Sequence, residues 1–341
     1  MKNQIVIPEI HTLPQYFHQL APIVGTNYGK NWYLNNYLLL FATHDYFYNG
    51  GVGLAFRENL WCINMPLHES NRINLPPYIE DYMVINDFSL LFNPVDVVEK
   101  YKLLLASGYY LIVNIDRNCV NPAFPYGTIH DALIYGYDED SFLLVDYVDT
   151  NSFIKKTTLS FSDMIQIHTN TYELPFYISS LNRIVAYRVK SDNEYTYDFN
   201  LSLFKQSLVD YYNGCNTIDD FDTIQRLEPK QIVWGIECYD ELDIYLKTTK
   251  DFLDYRNFCI LKEHKTSLCD TITHVMDIHN IDSENIIIKL AHIKELSNIC
   301  LKLCLKYNIT QNYRLKDTIH ENLLMIRKQE SKLISELLSY I

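Results

Sequence analysis

Residues 127–147 read GTIHDALIYGYDEDSFLLVDY, with His130 at the start of one apolar run and Asp146 at the end of the next. ALIYGYD (132–138) and FLLVDY (142–147) have strand length and are rich in β-branched and aromatic residues. YYLIVNI (109–115) and RIVAYRV (183–189) have the same character, so the four runs are expected to form one antiparallel sheet. A helix should precede them. In NPVDVVEKYKLLLASG, Pro94 suits the first turn and Gly108 ends the segment as a C-cap.

After SDNEYTYD (191–198) the strand pattern gives way to helical spacing. Leu315, Ile319, Leu323, Ile326, Leu333, Leu337 and Ile341 fall on one stripe with charges between them, and the segments around 286–307 and 203–214 repeat this pattern. For 341 residues two domains are expected. The reading is an α+β domain over 1–195 followed by an all-α helical bundle over 196–341.

Composition narrows the function classes. A formal net charge of −13, with no Lys/Arg-rich run and no glycine-rich phosphate loop, argues against a nucleic-acid partner and against a nucleotide enzyme. No stretch approaches the roughly 20 apolar residues of a membrane span, and the N-terminal residues lack the apolar centre of a signal peptide, so a cytoplasmic location without membrane attachment is expected. The eight cysteines include no CxxC pair, which speaks against a structural zinc site and a disulfide framework. His274 and His279 are five residues apart, share a helix face poorly, and do not make a metal site.

One further element bears on chemistry. GTNYGKNWYLNNYLLLFATH (25–44) reads as a loop opening a buried helix, capped by Asn27 or Asn31. Free N–H groups at such a helix start can stabilise a thiolate or an oxyanion. A loop, a buried helix and then a sheet carrying a His and an Asp is the order of a papain-like fold.

These residues carry a resemblance. The chain is similar to papain-fold, peptidase C39-like proteins, and more closely to the family named for butirosin biosynthesis protein H. The matching features are HDALIYGYD with Asp146 sixteen residues after His130, GIECYDELDIYL (235–246), and DYRNFCILKEHK (254–265). The last two look like the family's C-terminal signatures. The resemblance implies a papain-like domain followed by a helical domain, and thiotemplated assembly of small peptides or antibiotics. An acyl group would move from a carrier-protein thioester to the amine of a small molecule. No cofactor is implied beyond the phosphopantetheine arm of the acyl or peptidyl carrier protein.

The chain departs from that pattern at the nucleophile. The family's helix-start Cys is replaced in GKNWYLNN, and no Cys precedes Cys62. The position falls to Asn31, with Asn27 next, and an amide cannot serve as that nucleophile. Three readings follow. His130, oriented by Asp146, deprotonates an amine that attacks the thioester directly, with the helix start at Asn31, Asn27 and Tyr28 facing the oxyanion and substrate. Alternatively Cys119, in the loop after the strand 109–115, forms an acyl-enzyme if that strand runs antiparallel to the one beginning at His130; Cys62 is the weaker candidate. In the third, the protein is a silent relative that binds a carrier protein.

The plainer alternatives are a buried His–Asp pair, capping asparagines and a core cysteine. DYRNFCILKEHK is assigned to structure or to docking of the papain-like domain. Because carrier proteins are typically acidic, a basic patch is needed for docking, and Lys155, Lys156, Arg183, Arg188 and Lys190 are the candidates.

Overall fold

The computed structural model of the protein describes residues 3–4, 25–43, 53–56, 79–85, 96–120, 129–147, 154–172, 184–217, 232–279 and 284–340. Pro94, Cys62 and Arg183 lie outside these residues, and of His130 and Cys119 the backbone alone is described. In chain order the elements are β1 (Asn3–Gln4), α1 (Asn27–Asn36), β2 (Leu40–Thr43), β3 (Leu54–Phe56), β4 (Ile79–Ile85), α2 (Val97–Ala106), β5 (Tyr110–Asp116), α3 (Arg117–Val120), β6 (Ile129–Tyr137), β7 (Ser141–Tyr147), β8 (Ile154–Ser160), α4 (Phe161–Tyr172), β9 (Ile184–Val189), α5 (Leu201–Asn213), β10 (Ile232–Trp234), α6 (Cys238–Thr248), α7 (Tyr255–His279), α8 (Glu284–Thr310) and α9 (Arg314–Leu338).

The chain divides into two compact units, Met1–Lys30 with Met65–Tyr197, and Asn31–Asn64 with Asp198–Ile341. They are not two successive blocks. The division falls inside α1, and residues 31–64 group with the C-terminal part.

The first unit is α+β. Its antiparallel sheet runs β4-β9-β5-β6-β7-β8, with β1 beside the far end of β6. The four strands expected from sequence are joined by β4 and β8, which the sequence reading missed. Alternate residues Leu111, Val113 and Ile115 of β5, Ala132 and Ile134 of β6, and Phe142 and Leu144 of β7 pack under Val97, Tyr101 and Leu105 of α2 and Met164 and Ile167 of α4. The intervening Ile112 is also buried, so β5 is covered on both faces, which explains its unbroken apolar run.

Local chemistry closes these elements. At the β6–β7 turn, Asp138 Oδ1 accepts from the Ser141 amide (3.0 Å) and hydroxyl (2.7 Å). Ser160 Oγ accepts from the Asp163 amide (3.0 Å) and donates to its carboxylate (2.6 Å), capping α4. Helix α2 ends in a Schellman arrangement: Gly108, at φ 86°, donates to Leu105 O, and Tyr109 donates to Leu104 O. Gly108 therefore sits one residue beyond the C-cap itself, Ser107.

His168 of α4 meets the hydroxyl of Tyr101 through Nε2 at 3.0 Å, and burial pushes its imidazole down to about 4. The folded unit therefore holds His168 neutral where the unfolded chain, titrating near 6.5, takes up a proton. Its contribution to stability is complete above pH 6.5 and is lost as pH falls towards 4, by up to about 3 kcal/mol. Denaturant unfolding between pH 7 and 4 should show this slope, and His168→Gln should flatten it; an unchanged slope in the variant would assign the acid sensitivity elsewhere.

The second unit is mainly helical but not all-α. The strand β10 pairs β2, which pairs β3, in a small antiparallel sheet with Trp234 opposite Phe41 and their rings 5.5 Å apart. The expectation of a purely helical C-terminal domain fails here because IVW is too short a run to show period-two alternation. Helices α7, α8 and α9 pack in sequence. Of the expected α9 stripe, Ile319, Leu323, Ile326, Leu333 and Leu337 are buried, and the carboxylate of Glu330 is buried among them.

Helix α7 also closes the C-terminal end of α1. Thr271 Oγ1 donates to Leu34 O (3.1 Å), Ser267 Oγ to Tyr37 O (2.7 Å) and His264 Nε2 to Leu38 O (2.7 Å). These donors are spaced i, i+3, i+7 along one face of α7 and satisfy carbonyls that the end of a helix leaves without intrahelical partners. On the same helix, Asn257 Oδ1 accepts from the amide of Leu54 in β3 (3.1 Å).

Candidate functional site

The site that the sequence suggests lies at one end of the large sheet. Strands β5 and β6 are antiparallel with Ile115 opposite His130 and Asp116 opposite Ile129. Strands β6 and β7 pair Leu133 with Val145 and Ile134 with Leu144, and one further step sets Asp146 across from position 132. Because strand residues alternate between faces, positions 115, 130, 132 and 146 share the side that carries the helices. His130 is thus a diagonal neighbour of Asp146 across adjacent strands, about 7–8 Å between Cα atoms.

Asp146 is 1% exposed. Its Oδ1 lies 3.5 Å from Nη2 of Arg117, whose side chain is also largely buried. Arg117 opens α3 two residues beyond Ile115, so strand alternation continues onto the same side. The sequence reading missed it. The signal in the sequence was slight: an Arg directly after a buried strand, four positions past Val113, the residue level with Asp146 across β6. A buried carboxylate needs a compensating charge, and the guanidinium supplies one.

Cys119 is the third residue of α3, four positions past the residue paired with His130. The antiparallel pairing on which its candidacy depends is present. The described thiols elsewhere are poor nucleophiles. Cys238, Cys259, Cys300 and Cys304 are buried, and burial pushes Cys259 and Cys300 up to about 12 and raises Cys238 and Cys304 as well. Cys215 and Cys269 are raised too, by burial first and nearby aspartates among the further causes. An activated thiolate needs the opposite environment.

The start of α1 differs from expectation. Thr26, not Asn27 or Asn31, is the capping side chain: its Oγ1 accepts from the Gly29 amide at 3.0 Å. The Asn27 amide and side-chain nitrogen donate to the two carboxylate oxygens of Asp192, at 2.8 and 3.1 Å. These N–H groups, expected to receive an oxyanion, are already bonded within the protein. Tyr28 is buried, donates to Lys190 O at 2.7 Å, and packs edge-on against Tyr195; burial pushes its phenol up to about 12. Asn27 and Tyr28 therefore fasten α1 to residues 190–195. Asn31, in the second turn of α1, is half-buried and belongs to the other unit.

The basic residues of the docking expectation separate in the sheet. Lys155 and Lys156 lie on the edge strand β8, whereas Arg188 lies on β9, four strand positions away and therefore about 19 Å. Arg188 stacks over Tyr109, and Lys190, just past β9, over Tyr195. In DYRNFCILKEHK, Arg256 forms a two-pronged pair with Asp254, Phe258 and Leu261 are core residues, and His264 and Lys265 are fully buried. The buried half of this segment is internal to the second unit, in keeping with the structural role expected of it.

Neither the known family models nor the curated proteins give a match to the chain. The likeness to the butirosin biosynthesis protein H family therefore rests on the quoted motifs. Among the described residues no helix is long and apolar enough to cross a membrane.

Proposed function

We propose that the first unit is a papain-like acyl-transfer domain that forms an amide from a carrier-protein thioester and a small-molecule amine, with His130 as general base and Asp146 as its orienting carboxylate. The observation that supports this most is the register, which sets His130 and a buried Asp146 diagonally on one side of adjacent strands. A base so placed takes the proton of the incoming amine as its nitrogen attacks the thioester carbonyl, and returns it to the pantetheine sulfur as the C–S bond breaks and the arm leaves as the thiol. Arg117 would hold Asp146 in place, so the carboxylate is fixed from two sides rather than by the imidazole alone.

A second reading is favoured by the antiparallel β5–β6 pairing, which brings the backbone of Cys119 to the same end of the sheet as His130. There the Cys119 thiolate would take the acyl group first and the amine would attack the resulting acyl-enzyme.

One experiment separates these. The protein is incubated with an acyl thioester of N-acetylcysteamine, with and without a primary amine, and both products and intact protein mass are followed. Amide formation above the uncatalysed rate without acylated protein is the expected result. An acyl adduct on Cys119 selects the second reading. Neither product nor adduct would overturn both and leave a carrier-binding scaffold.

A further inference from the structure

The interior of the second unit holds a polar network that acyl transfer does not use. Lys265 of α7 and Glu330 of α9 form an ion pair at 2.6 Å with both side chains wholly buried. Glu330 Oε2 also accepts from the hydroxyls of Tyr211 of α5 (2.9 Å) and Tyr239 of α6 (2.7 Å). Lys265 Nζ donates to Glu330, to the Tyr211 hydroxyl (3.0 Å) and to His264 Nδ1 (2.7 Å), which uses all three of its protons. The Leu38 carbonyl can only accept, so His264 carries its proton on Nε2 and offers a lone pair at Nδ1. The imidazole is thereby a neutral link between the ion pair and the end of α1.

We propose that His264 is an acid-sensitive latch, whose protonation releases the segment that ends α1 and leads into β2 while the helices α8 and α9 stay folded. An added proton on His264 Nδ1 replaces the lone pair facing Lys265 and sets two cations side by side in a dry interior. Lys265 beside it on α7 and Tyr211, stacked at 4.8 Å from α5, face His264 directly, and around Lys265 in turn stand Glu330 from α9 and Tyr239 and Cys238 from α6. From the α1 side comes the Leu38 carbonyl. Only Glu330 among them is an anion, and Lys265 already neutralises it. Burial first, and Lys265 second, accordingly hold the imidazole well below its ordinary range. The added charge is relieved when the ring turns out to water, and that motion takes it off Leu38 O. The proposal does not depend on acyl transfer in the other unit.

Hydrogen exchange of the whole protein tests it, with rates corrected for intrinsic pH dependence. Amides of residues 35–42 should lose protection about tenfold per pH unit below 6.5, while those of α8 and α9 lose far less. His264→Gln, which keeps a neutral donor, should abolish that local dependence. Should this variant not fold, the ring signal of His264 in the native protein must titrate together with the opening of 35–42. Equal loss across α8 and α9, undiminished local protection at pH 4.5, or the same loss in His264→Gln would overturn the proposal.

Discussion

Lys265→Met is expected to destabilise the second unit by about 3–5 kcal/mol. The cost comes less from the lost ion pair than from what remains. Glu330 stays in an interior with 0% exposure, its charge uncompensated and only two tyrosine hydroxyls donating to it. His264 also loses the donor at Nδ1. Replacing both charges, as Lys265→Met with Glu330→Leu, removes the orphaned group and should restore most of the loss, because a buried pair is worth little net against well-packed apolar side chains. Denaturant unfolding of the two variants checks this. A single-variant cost below about 1 kcal/mol would mean that water reaches Glu330, and a double variant as unstable as the single would mean that the tyrosines carry the network.

That network also shows where sequence reading stopped. The α9 stripe was legible because apolar residues recur at helical spacing. Glu330 interrupts this stripe as an ordinary solvent-facing charge would, and its partner lies 65 residues away on another helix, a pairing that no local pattern records. HK at 264–265 could be singled out as a motif, yet only packing shows that one residue caps α1 and the other neutralises α9.

The sheet was legible for a related reason. Strands β5, β6, β7 and β9 are buried and β-branched, so composition marks them, whereas the edge strands β4 and β8, reading IEDYMVI and IKKTTLS, mix charges and hydroxyls into the run. At the site, hairpin length alone does not give the placement of Asp146: the turn end pairs Gly136 with Leu143 and Tyr137 with Phe142, and an irregularity between Ile134 and Gly136 shifts the register by one, which sets Asp146 across from position 132 on the side of position 130. At the start of α1, the amide and side-chain N–H groups of Asn27 are taken by Asp192, 165 residues away, a separation that no local pattern spans. Arg117 was missed because pairing across β6 to β7 depends on the order of three strands.

The other large effect belongs to His130. As general base for amine attack it should contribute about 10²–10⁴ in rate, so His130→Ala should lower amide formation by that factor, about 3–5 kcal/mol of transition-state stabilisation. Asp146→Asn should also lower the rate, since an amide in place of the carboxylate no longer orients the imidazole, and it removes the partner of Arg117. Global stability would fall in that variant as well, so its rate is compared at a temperature where both proteins are folded. The decisive measurement is the rate of amide formation from an acyl thioester and a primary amine by the native protein and by His130→Ala, at equal folded concentration across pH 6–9. A loss of at least about a hundredfold, with a native rate that rises as an imidazole deprotonates, is the expected result. Equal rates in the two proteins would contradict a catalytic His130 and leave Asp146 and Arg117 as a buried structural pair.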